Sequence, residues 1–495
     1  MLAQLLLAAL AGAASLLFLL RRLRSPSPSS PDSTKSVALV VLGDIGRSPR
    51  MLYHAQSFAS AGFRTHIVAY RGSAPPKQLA EDPNVRFVYL PTPLSWISRL
   101  PRPLFLLFAP FRVVVGAVDL LRALALRLEG PPGYLFLQNP PAIPTLPVVQ
   151  LAAYLLRSKV IIDWHNTGYS VLALRLGEGH PVVWLAKFIE HLFGRSAYAH
   201  LCVSDAMKAQ LQAKAGLRGR VVTLHDRPPS SFRRLDSPEA AELFSRLPFF
   251  SASSLSFPST TLSGDDPLSP TLFHSPSGSP LATRPALLVS ATSWTADEDF
   301  SILLEALELY EQAARAYAAG EGGLPGSPRE KLPRVVVVIT GKGAGKEEFE
   351  KMVAFLERNW EFVRVRTAWL AREDYPKLLG SADLGVSLHT STSGIDLPMK
   401  VVDMYGCELP VLALDFPCLS ELVKHNQNGR VFRTATDLAD QLIELLRSFP
   451  RPYPSPIDEL RAGIKTASYG GEGEEQKWGS WEENWREVVG PLVGL

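Results

Sequence analysis

Four polar segments carry the side chains that could bind an anion or move a proton, and each directly follows a short apolar run. The segments are residues 43–48, 163–167, 341–346 and 389–403. Carboxylates and imidazoles in such places suit acid–base work, whereas lysines and glycine-rich turns suit phosphate binding. These segments therefore contain the candidate functional residues.

The first segment combines two glycines with a carboxylate and an arginine. Gly43 and Gly46 would let a ligand approach the backbone closely, and Arg47 could grip a phosphate with two hydrogen bonds. Asp44 lies between them as a candidate proton acceptor. The alternative is an ordinary strand-to-helix turn with a solvated arginine. A full G-x-G-x-x-G is absent, so a dinucleotide fingerprint is not supported.

The second segment places a carboxylate, an imidazole and an amide at the end of an apolar strand. Asp163, His165 and Asn166 surround Trp164 and Thr167 in the order Asp-Trp-His-Asn-Thr. This set suits recognition of an acceptor hydroxyl or acid–base catalysis. The alternative is a polar turn whose groups satisfy one another.

The third segment only superficially resembles a P-loop. Gly341, Lys342 and Gly343 open it, but the G-x-x-x-x-G-K-[ST] spacing is absent and Glu347 follows Lys346. What remains is a glycine turn before a helix, with Lys342 placed to meet a diphosphate. A solvated lysine is the alternative.

The fourth segment has the mixture of groups that a sugar and its diphosphate require. Hydroxyls, a glycine, carboxylates and a lysine stand between a strand and a helix. The candidate donor-binding residues here are His389, Ser391, Thr392, Ser393, Gly394, Asp396, Lys400 and Asp403. Asp403, seven residues after Asp396, falls inside the helix and could turn toward a ribose or sugar hydroxyl.

Strand-like and helical stretches alternate in two series, which predicts two doubly wound parallel sheets. The first series runs from Val37–Leu42 to Val221–Leu224, and the second from Ala286–Ser290 to Val411–Leu414. Open parallel sheets bind ligands beyond the carboxyl ends of their strands. The predicted fold class is α/β, with two Rossmann-like domains facing a cleft.

The predicted domains follow from these series. Residues 35–235 form an N-terminal Rossmann-like domain and residues 285–450 a C-terminal one. Residues 236–284 are rich in Ser and Pro and are predicted to be a disordered insertion. Residues 451–495 form a tail whose tryptophans could return to the N-terminal domain as a crossover helix.

The N-terminus predicts a membrane anchor over residues 1–24 and a linker over residues 25–34. Leu2–Leu20 is an uncharged apolar run, long enough to span a bilayer as a transmembrane helix, and Arg21, Arg22 and Arg24 follow it. The positive-inside rule places these arginines, and the rest of the chain, in the cytosol. A cleaved signal peptide is the alternative. Leu104–Leu128 is read either as an amphipathic helix on the membrane surface or as a core helix.

Composition excludes some classes of function. The net charge of +3 over 495 residues argues against nucleic acid as a partner. Three scattered cysteines give neither a disulfide framework nor a metal site, and they fit a reducing compartment.

The motifs together resemble one family, the chitobiosyldiphosphodolichol β-mannosyltransferases of the endoplasmic reticulum (ER). The resemblance rests on residues 44–51, 163–166 and 339–343, on Thr292-Ser293-Trp294-Thr295 with Asp297–Phe300, and on the long stretch 381–404. It covers nearly the whole chain except the Ser/Pro-rich segment. It implies the GT-B fold, GDP-mannose as donor and co-substrate, dolichol-linked chitobiose as acceptor, the ER membrane, and other transferases of the dolichol pathway as partners. It also implies acceptor binding for the N-terminal domain, residues 35–235, and nucleotide-sugar binding for the C-terminal domain, residues 285–450, and it places Trp294 among the donor-binding residues.

The resemblance implies an inverting transfer that forms a β-1,4 linkage. Retaining GT-B enzymes carry a Glu-x7-Glu motif, where this chain has Ile395 and Asp403. Asp44 is the preferred candidate for the base, and Asp163 and His165 are the alternatives. Lys342 and Lys400 would assist the leaving GDP, and a magnesium requirement stays open. The rival functions are a GT-B transferase with another donor or lipid acceptor, and an inactive scaffold that binds partner transferases.

Overall fold

The computed structural model describes two compact units. The described residues are 35–92, 97, 101–251, 253–258, 271–295, 298–321, 331–390, 394–447, 449–450, 454–467, 469 and 478–495. One unit comprises Met1–His225 with Glu482–Leu495, and the other comprises Asp226–Trp481. The last helical residues of the chain therefore belong to the first unit.

The first unit is built on a seven-stranded parallel sheet with the order β3-β2-β1-β4-β5-β6-β7. Its strands are β1 (Ser36–Asp44), β2 (Arg64–Tyr70), β3 (Val85–Leu90), β4 (Tyr134–Asn139), β5 (Lys159–Trp164), β6 (Ser196–Cys202) and β7 (Arg218–Thr223). The central strand β1 is apolar over Val37–Val41 and buried there, as expected of a strand that is covered on both faces.

Helices connect the strands of this sheet. They are α1 (Pro49–Ser60), α2 (Lys77–Ala80), α3 (Arg102–Leu126), α4 (Thr145–Leu156), α5 (Gly168–Leu176), α6 (Pro181–Gly194) and α7 (Asp205–Ala215). The strand order reverses at β1, whose neighbours are β2 and β4. Such a reversal opens a crevice at the carboxyl ends of the strands, where ligands of these folds bind.

The second unit contains a six-stranded parallel sheet with the order β10-β9-β8-β11-β12-β13. Its strands are β8 (Ala286–Ala291), β9 (Val335–Thr340), β10 (Val363–Ala368), β11 (Leu384–Ser387), β12 (Val411–Leu414) and β13 (Gly429–Phe432). Its helices are α8 (Ser237–Arg246), α9 (Phe300–Ala319), α10 (Lys346–Leu356), α11 (Asp374–Ser381), α12 (Met399–Gly406), α13 (Ala435–Leu446) and α14 (Pro456–Thr466). The chain ends with α15 (Trp481–Val488) and α16 (Gly490–Val493).

The predicted strands are present, but the two edge strands of the second sheet, β10 and β13, were not predicted. β10 reads Val-Arg-Val-Arg-Thr-Ala, so its charged residues hide the apolar run that marks the central strands. Its alternation is instead typical of a strand with one covered face. Arg364 is buried and Arg366 partly buried, and both donate to backbone carbonyls of residues 254–256.

The segment 236–284 differs from the predicted disordered insertion in the part that is described. Helix α8 begins with a capping box between Asp236 and Glu239. Phe244, Phe250 and Phe273 then pack together, with ring centroids 4.3 to 5.4 Å apart. A few well-spaced aromatic residues thus build a small core within a Ser/Pro-rich composition. Residues 259–270 lie outside the described residues.

The two membrane-related predictions have different outcomes. Helix α3 buries Leu120, Leu121 and Leu124 against the first unit, which supports the core-helix alternative for its C-terminal half. Across the part of the chain that the structure describes, no helix has the length and apolar character required to cross a bilayer. The predicted anchor, residues 1–24, lies outside that part.

Candidate active site

The polar turn after β5 is organised by the buried carboxylate of Asp163. Arg50 donates to both of its oxygens at 2.9 Å and also donates to the carbonyl of Leu224. His165 Nε2 lies 2.7 Å, and His54 Nε2 3.3 Å, from Asp163 Oδ2. Burial raises the pKa of Asp163, but the charge of Arg50 and the contacts with His165 and His54 outweigh it and hold that pKa well below the ordinary value.

This network orients the ring of His165. Because the Asp163 carboxylate is ionised, it accepts the proton on His165 Nε2 and leaves Nδ1 as a proton acceptor. The side chain of His165 is 23% exposed, whereas Asp163 is fully buried. The arrangement is that of an imidazole oriented by a carboxylate, which is a common form of general base.

The C-terminal helix α15 reaches the same network. Trp485 Nε1 donates to His54 Nδ1 at 3.0 Å, so the proton of His54 stands on Nε2 and faces Asp163. Burial lowers the pKa of His54 to about 4, which keeps this ring neutral at physiological pH. His54 and Arg50 are four residues apart on α1 and therefore project from the same face of that helix.

Asp44, the preferred candidate for the base, binds the loop that follows β2 through its carboxylate. Its carboxylate accepts hydrogen bonds from Gly46 N, Ser73 N and Ser73 Oγ at 2.8 to 3.0 Å. Burial alone would raise its pKa, but these hydrogen bonds and Arg47 lower the pKa below the ordinary value. A carboxylate with so many donors is a weaker base.

The other predicted acceptor residues fall into different environments. Gly46 packs so closely on Ser73 that a side chain would collide with it, whereas a Cβ added at Gly43 would make only an ordinary contact with Val41, at 3.8 Å. Arg47 is exposed, with Nε 3.4 Å from Ser73 Oγ. Trp164 is 1% exposed and donates to His200, which makes it part of the core. Asn166 Oδ1 accepts from Thr167 N and so shapes the turn.

In the second unit, the loops after β8 and β9 meet at the carboxyl edge of the sheet. Gly341 has a φ of +154°, and an added side chain would collide with the carbonyl of Thr292. Gly343 packs in the same way on Ser293. The glycines of this turn are therefore required for close packing between two loops. The structure brings the third predicted segment next to the Trp294 motif.

Glu298 joins these loops to the start of helix α12. Its side chain forms an ion pair with Lys400 and accepts hydrogen bonds from Thr292 Oγ1 at 2.6 Å and Ser293 N at 3.2 Å. Glu298 also forms a β-bridge with His389. Lys400, the second residue of α12, is thus held at the sheet edge where a diphosphate would meet the loops.

Lys342 and Trp294, which belong to these two loops, have contrasting environments. Lys342 is exposed, and its Nζ lies 4.2 Å from the ring centroid of Trp369. Trp294 has a left-handed φ of 53° and packs on Phe300 and Phe349. Its buried Nε1 has no hydrogen-bond partner among the described residues.

The remaining predicted donor residues are only partly described. His389 Nε2 lies 3.8 Å from Asp396 Oδ2, and Gly394 has a left-handed φ of 71°. Ser391, Thr392 and Ser393 lie outside the described residues.

Asp403 has a different environment from the donor loops. Tyr375 donates to its Oδ2 at 3.3 Å. Burial, together with the charge of Asp226, raises the pKa of Asp403 to about 8 despite this hydrogen bond. The carboxyl group is therefore largely protonated at neutral pH and can itself donate a hydrogen bond.

The residues of these networks that were not predicted as site residues include Arg50, His54, Ser73 and Glu298. Arg50 and Glu298 stand inside the motifs that carry the family resemblance, and the spacing of Arg50 and His54 is that of one helix face. Ser73 follows the neighbouring strand β2, and nothing in its local sequence distinguishes it.

Comparison with known proteins first defines the class. Residues 46–227 match the family described as glycosyl transferase 4-like domain, and residues 287–448 match glycosyl transferases group 1. A crystal structure of Anabaena Alr3699/HepE in complex with UDP is similar with a TM-score of 0.56 at 15% identity, covering 93% of this chain and 100% of that chain. At this identity the likeness shows the fold alone. The chain is a glycosyltransferase with the GT-B fold.

Closer relatives define the family. The chitobiosyldiphosphodolichol beta-mannosyltransferase of Mus musculus is 43% identical over 466 residues, covering 93% of this chain and 89% of the relative. The Homo sapiens protein of that name is 42% identical, with 93% of each chain covered. The UDP-glycosyltransferase TURAN of Arabidopsis thaliana is 40% identical, covering 92% of this chain and 96% of the relative. The chain belongs to the chitobiosyldiphosphodolichol beta-mannosyltransferase family.

Proposed function

We propose that this chain transfers mannose from GDP-mannose to chitobiosyl-diphospho-dolichol, with inversion at the anomeric carbon. The product is a β-1,4-linked mannosyl chitobiosyl-diphospho-dolichol, the first mannosylated form of the lipid-linked oligosaccharide for N-glycosylation. The observation that carries the proposal is the 43% identity to a protein of that name over 93% of this chain.

His165 is proposed as the general base, with Asp163 as the residue that orients it. Inversion requires the acceptor 4-hydroxyl to attack the anomeric carbon while the bond to the GDP oxygen breaks. The hydroxyl proton passes to His165 Nδ1, and the Nε2–H···Asp163 contact of 2.7 Å stabilises the resulting imidazolium. Asp44, already bound by Ser73 and Gly46, then shapes the loop in which the acceptor sugar lies.

The donor diphosphate is proposed to bind at the carboxyl edge of the second sheet. Lys400 would share its charge between Glu298 and the departing phosphate, and the backbone of the 341–345 turn would add N–H donors. Lys342 supplies a second cation from the exposed side of the turn. These groups compensate the negative charge that develops on GDP, which is the largest electrostatic demand of the reaction.

The proposed location is the cytosolic face of the ER membrane, with residues 1–24 as a single-pass anchor. The observations that support it are the apolar run Leu2–Leu20 and the arginines that follow. The lipid-linked acceptor resides in the membrane, and other transferases of the dolichol pathway that use its product are the proposed partners.

A donor and acceptor screen tests this function. The purified full chain is incubated with chitobiosyl-diphospho-dolichol and, separately, GDP-mannose, GDP-fucose, UDP-GlcNAc and UDP-glucose. The UDP sugars are included because one relative is named a UDP-glycosyltransferase. We expect transfer from GDP-mannose, with a product that β-mannosidase cleaves and α-mannosidase does not. Preferred transfer from another donor would replace the assignment, and no transfer from any donor would favour the scaffold function.

A further inference from the structure

Helices α5 and α6 form a hairpin whose outward surface is unusually apolar for a protein exposed to water. Eight large apolar side chains of this hairpin are at least 37% exposed. They are Val171, Leu174, Leu176, Val182, Trp184, Leu185, Phe188 and Leu192. We call this set the hairpin surface. Contiguous apolar surfaces of this kind mark interaction sites.

Helix α6 is apolar on both of its faces. Val183, Ala186 and Gly194 point inward and are buried, whereas Leu185, Phe188 and Leu192 follow the opposite face at helical spacing. A helix that packed only on its own sheet would carry polar residues on its outer face. The outer face of α6 is therefore suited to a partner that is itself apolar.

The polar and aromatic residues around the hairpin surface indicate what that partner is. Trp184, which stacks on Phe188 at 5.9 Å, is 68% exposed, and Tyr154 on the adjacent helix α4 is 82% exposed. Arg175 and Lys187 of these helices are exposed cations, and Glu178, in the turn that joins the helices, is the one exposed acid of the hairpin. Exposed Trp and Tyr together with cations are typical of the boundary between lipid acyl chains and phosphate headgroups.

The hairpin surface is mechanically linked to the proposed acceptor site. Glu190 of α6 is 1% exposed and accepts hydrogen bonds from Gly168 N and Tyr169 N at the start of α5. Asn139 at the end of β4 donates to the same carboxylate at 2.6 Å. Helix α5 begins three residues after His165, so these contacts fix the position of the hairpin relative to the 163–167 turn.

We propose that the hairpin surface inserts into one leaflet of a lipid bilayer and so places the 163–167 turn at the headgroup level. This inference deepens the proposed function, because a dolichol-linked acceptor presents its diphosphate and sugar at that level. The partner is the bilayer itself, bound by apolar insertion of the hairpin and by attraction of Arg175 and Lys187 to lipid phosphates.

Fluorescence quenching in vesicles tests the insertion without reference to activity. The full chain with Leu174→Cys or Leu192→Cys is labelled with bimane and reconstituted into phosphatidylcholine vesicles that contain anionic phosphatidylinositol. The native cysteines are buried and leave the label specific. Phe355→Cys on α10, at a position 63% exposed, is the control. We expect brominated acyl chains to quench the label at 174 and 192, and not at 355. Absence of quenching at 174 and 192 would overturn the proposal. The hairpin surface would then be covered by a second protein copy or by another segment and not by lipid.

A kinetic experiment tests the consequence for the acceptor. The double variant Trp184→Gln/Phe188→Gln should raise the KM for the dolichol-linked acceptor in vesicles by about tenfold. The KM for GDP-mannose and the Tm should remain those of the parent. Met352→Gln/Phe355→Gln on α10 is the matched control. An unchanged acceptor KM would reject the role in acceptor capture, whereas a parent without transferase activity would refute the proposed function and leave the quenching result intact.

Discussion

At the scale of single residues, the contacts around Asp163 determine which group can accept a proton. Its carboxylate is fully buried and held ionised by Arg50, so its own basicity is low. Asp163 instead orients His165, which is 23% exposed and can present its other ring nitrogen, Nδ1, to a substrate hydroxyl. The residue that carries the charge and the residue that exchanges the proton are therefore different.

His165→Gln is the direct test of the base. Glutamine keeps a hydrogen bond to Asp163 but cannot accept the hydroxyl proton, so turnover should fall by roughly 10²–10⁴-fold. GDP-mannose affinity should stay near that of the parent, because the substitution lies in the first unit. The comparison variant is Asp44→Asn, for which we expect a smaller loss. The assignment moves to Asp44 if Asp44→Asn is the more damaging variant and His165→Gln keeps more than a tenth of the activity.

The donor phosphate contacts are tested at Lys400 and Lys342. Alanine at either position removes a charge-assisted contact worth about 1.5–3 kcal/mol, so GDP should bind roughly ten- to a hundredfold more weakly. Calorimetry with GDP measures this, and Lys351→Ala, at an exposed lysine of α10, is the control. Equal GDP affinity in all three variants and the parent would remove both lysines from the donor site.

The raised pKa of Asp403 predicts that the stability of the protein depends on pH. Its folded-state pKa is about 8 against an ordinary 3.8, because burial disfavours its charged form. Between about pH 4 and pH 8 the unfolded carboxyl loses its proton while the folded one keeps it, so the free energy of unfolding falls as pH rises. An asparagine at position 403 does not titrate, so the Asp403→Asn variant does not lose this part of its free energy of unfolding as pH rises. The difference in Tm, variant minus parent, should therefore increase from pH 5 to pH 8, and a constant difference would contradict the raised pKa.

At the scale of elements, helices that are distant in sequence complete the sites. Helix α1 supplies Arg50 and His54 to a carboxylate of β5, and α15 supplies the Trp485 indole to His54. The ring of Trp485 also packs on Phe58 with centroids 5.0 Å apart. The first site thus depends on elements from both ends of the chain.

The small aromatic core beside α8 leads to a stability prediction. Phe273 is 1% exposed and packs on Phe244 and Phe250. Phe273→Ala should lower the free energy of unfolding by about 3–5 kcal/mol, as expected for loss of a buried aromatic ring. Chemical denaturation measures it, with Ser277→Ala at an exposed position as the control. Equal stability of the two variants would mean that this part of the segment 236–284 is dispensable, as its composition suggests.

At the scale of the whole molecule, one chain builds two sheet-based units and returns to the first with its last helical residues. The proposed reaction needs a nucleotide sugar and a lipid-linked sugar at once. Each unit supplies one set of polar loops at the carboxyl edge of its own sheet. Under the proposed function, the loops of the first unit bind the acceptor and those of the second unit bind the donor.

The proposed topology is tested with sealed ER-derived microsomes that contain the full chain. Protease added from outside should digest the body of the protein, because the arginines after Leu2–Leu20 favour a cytosolic body. A lumenal marker protein that stays intact is the control for sealed membranes. Protection of the body until detergent is added would reverse the proposed orientation.

The sequence by itself determined the class of fold and most of the central elements. Buried parallel strands are continuous apolar runs, and β9 and β12 have the bounds that these runs predict. Such local patterns survive because burial on both faces requires them at every position. The same patterns predicted that the polar segments lie at strand ends. The longest motif, residues 381–404, indicated the family.

Only the tertiary structure decided how the polar groups are used. Asp44 and Asp163 look equivalent in sequence, since both follow apolar strands, yet Ser73 binds one and Arg50 with two histidines surrounds the other. Likewise, Glu298 acquires its role from Lys400, 102 residues further along the chain. A pKa, a tautomer and an ion pair depend on neighbours that are close in space and distant in sequence, so no local pattern could have specified them.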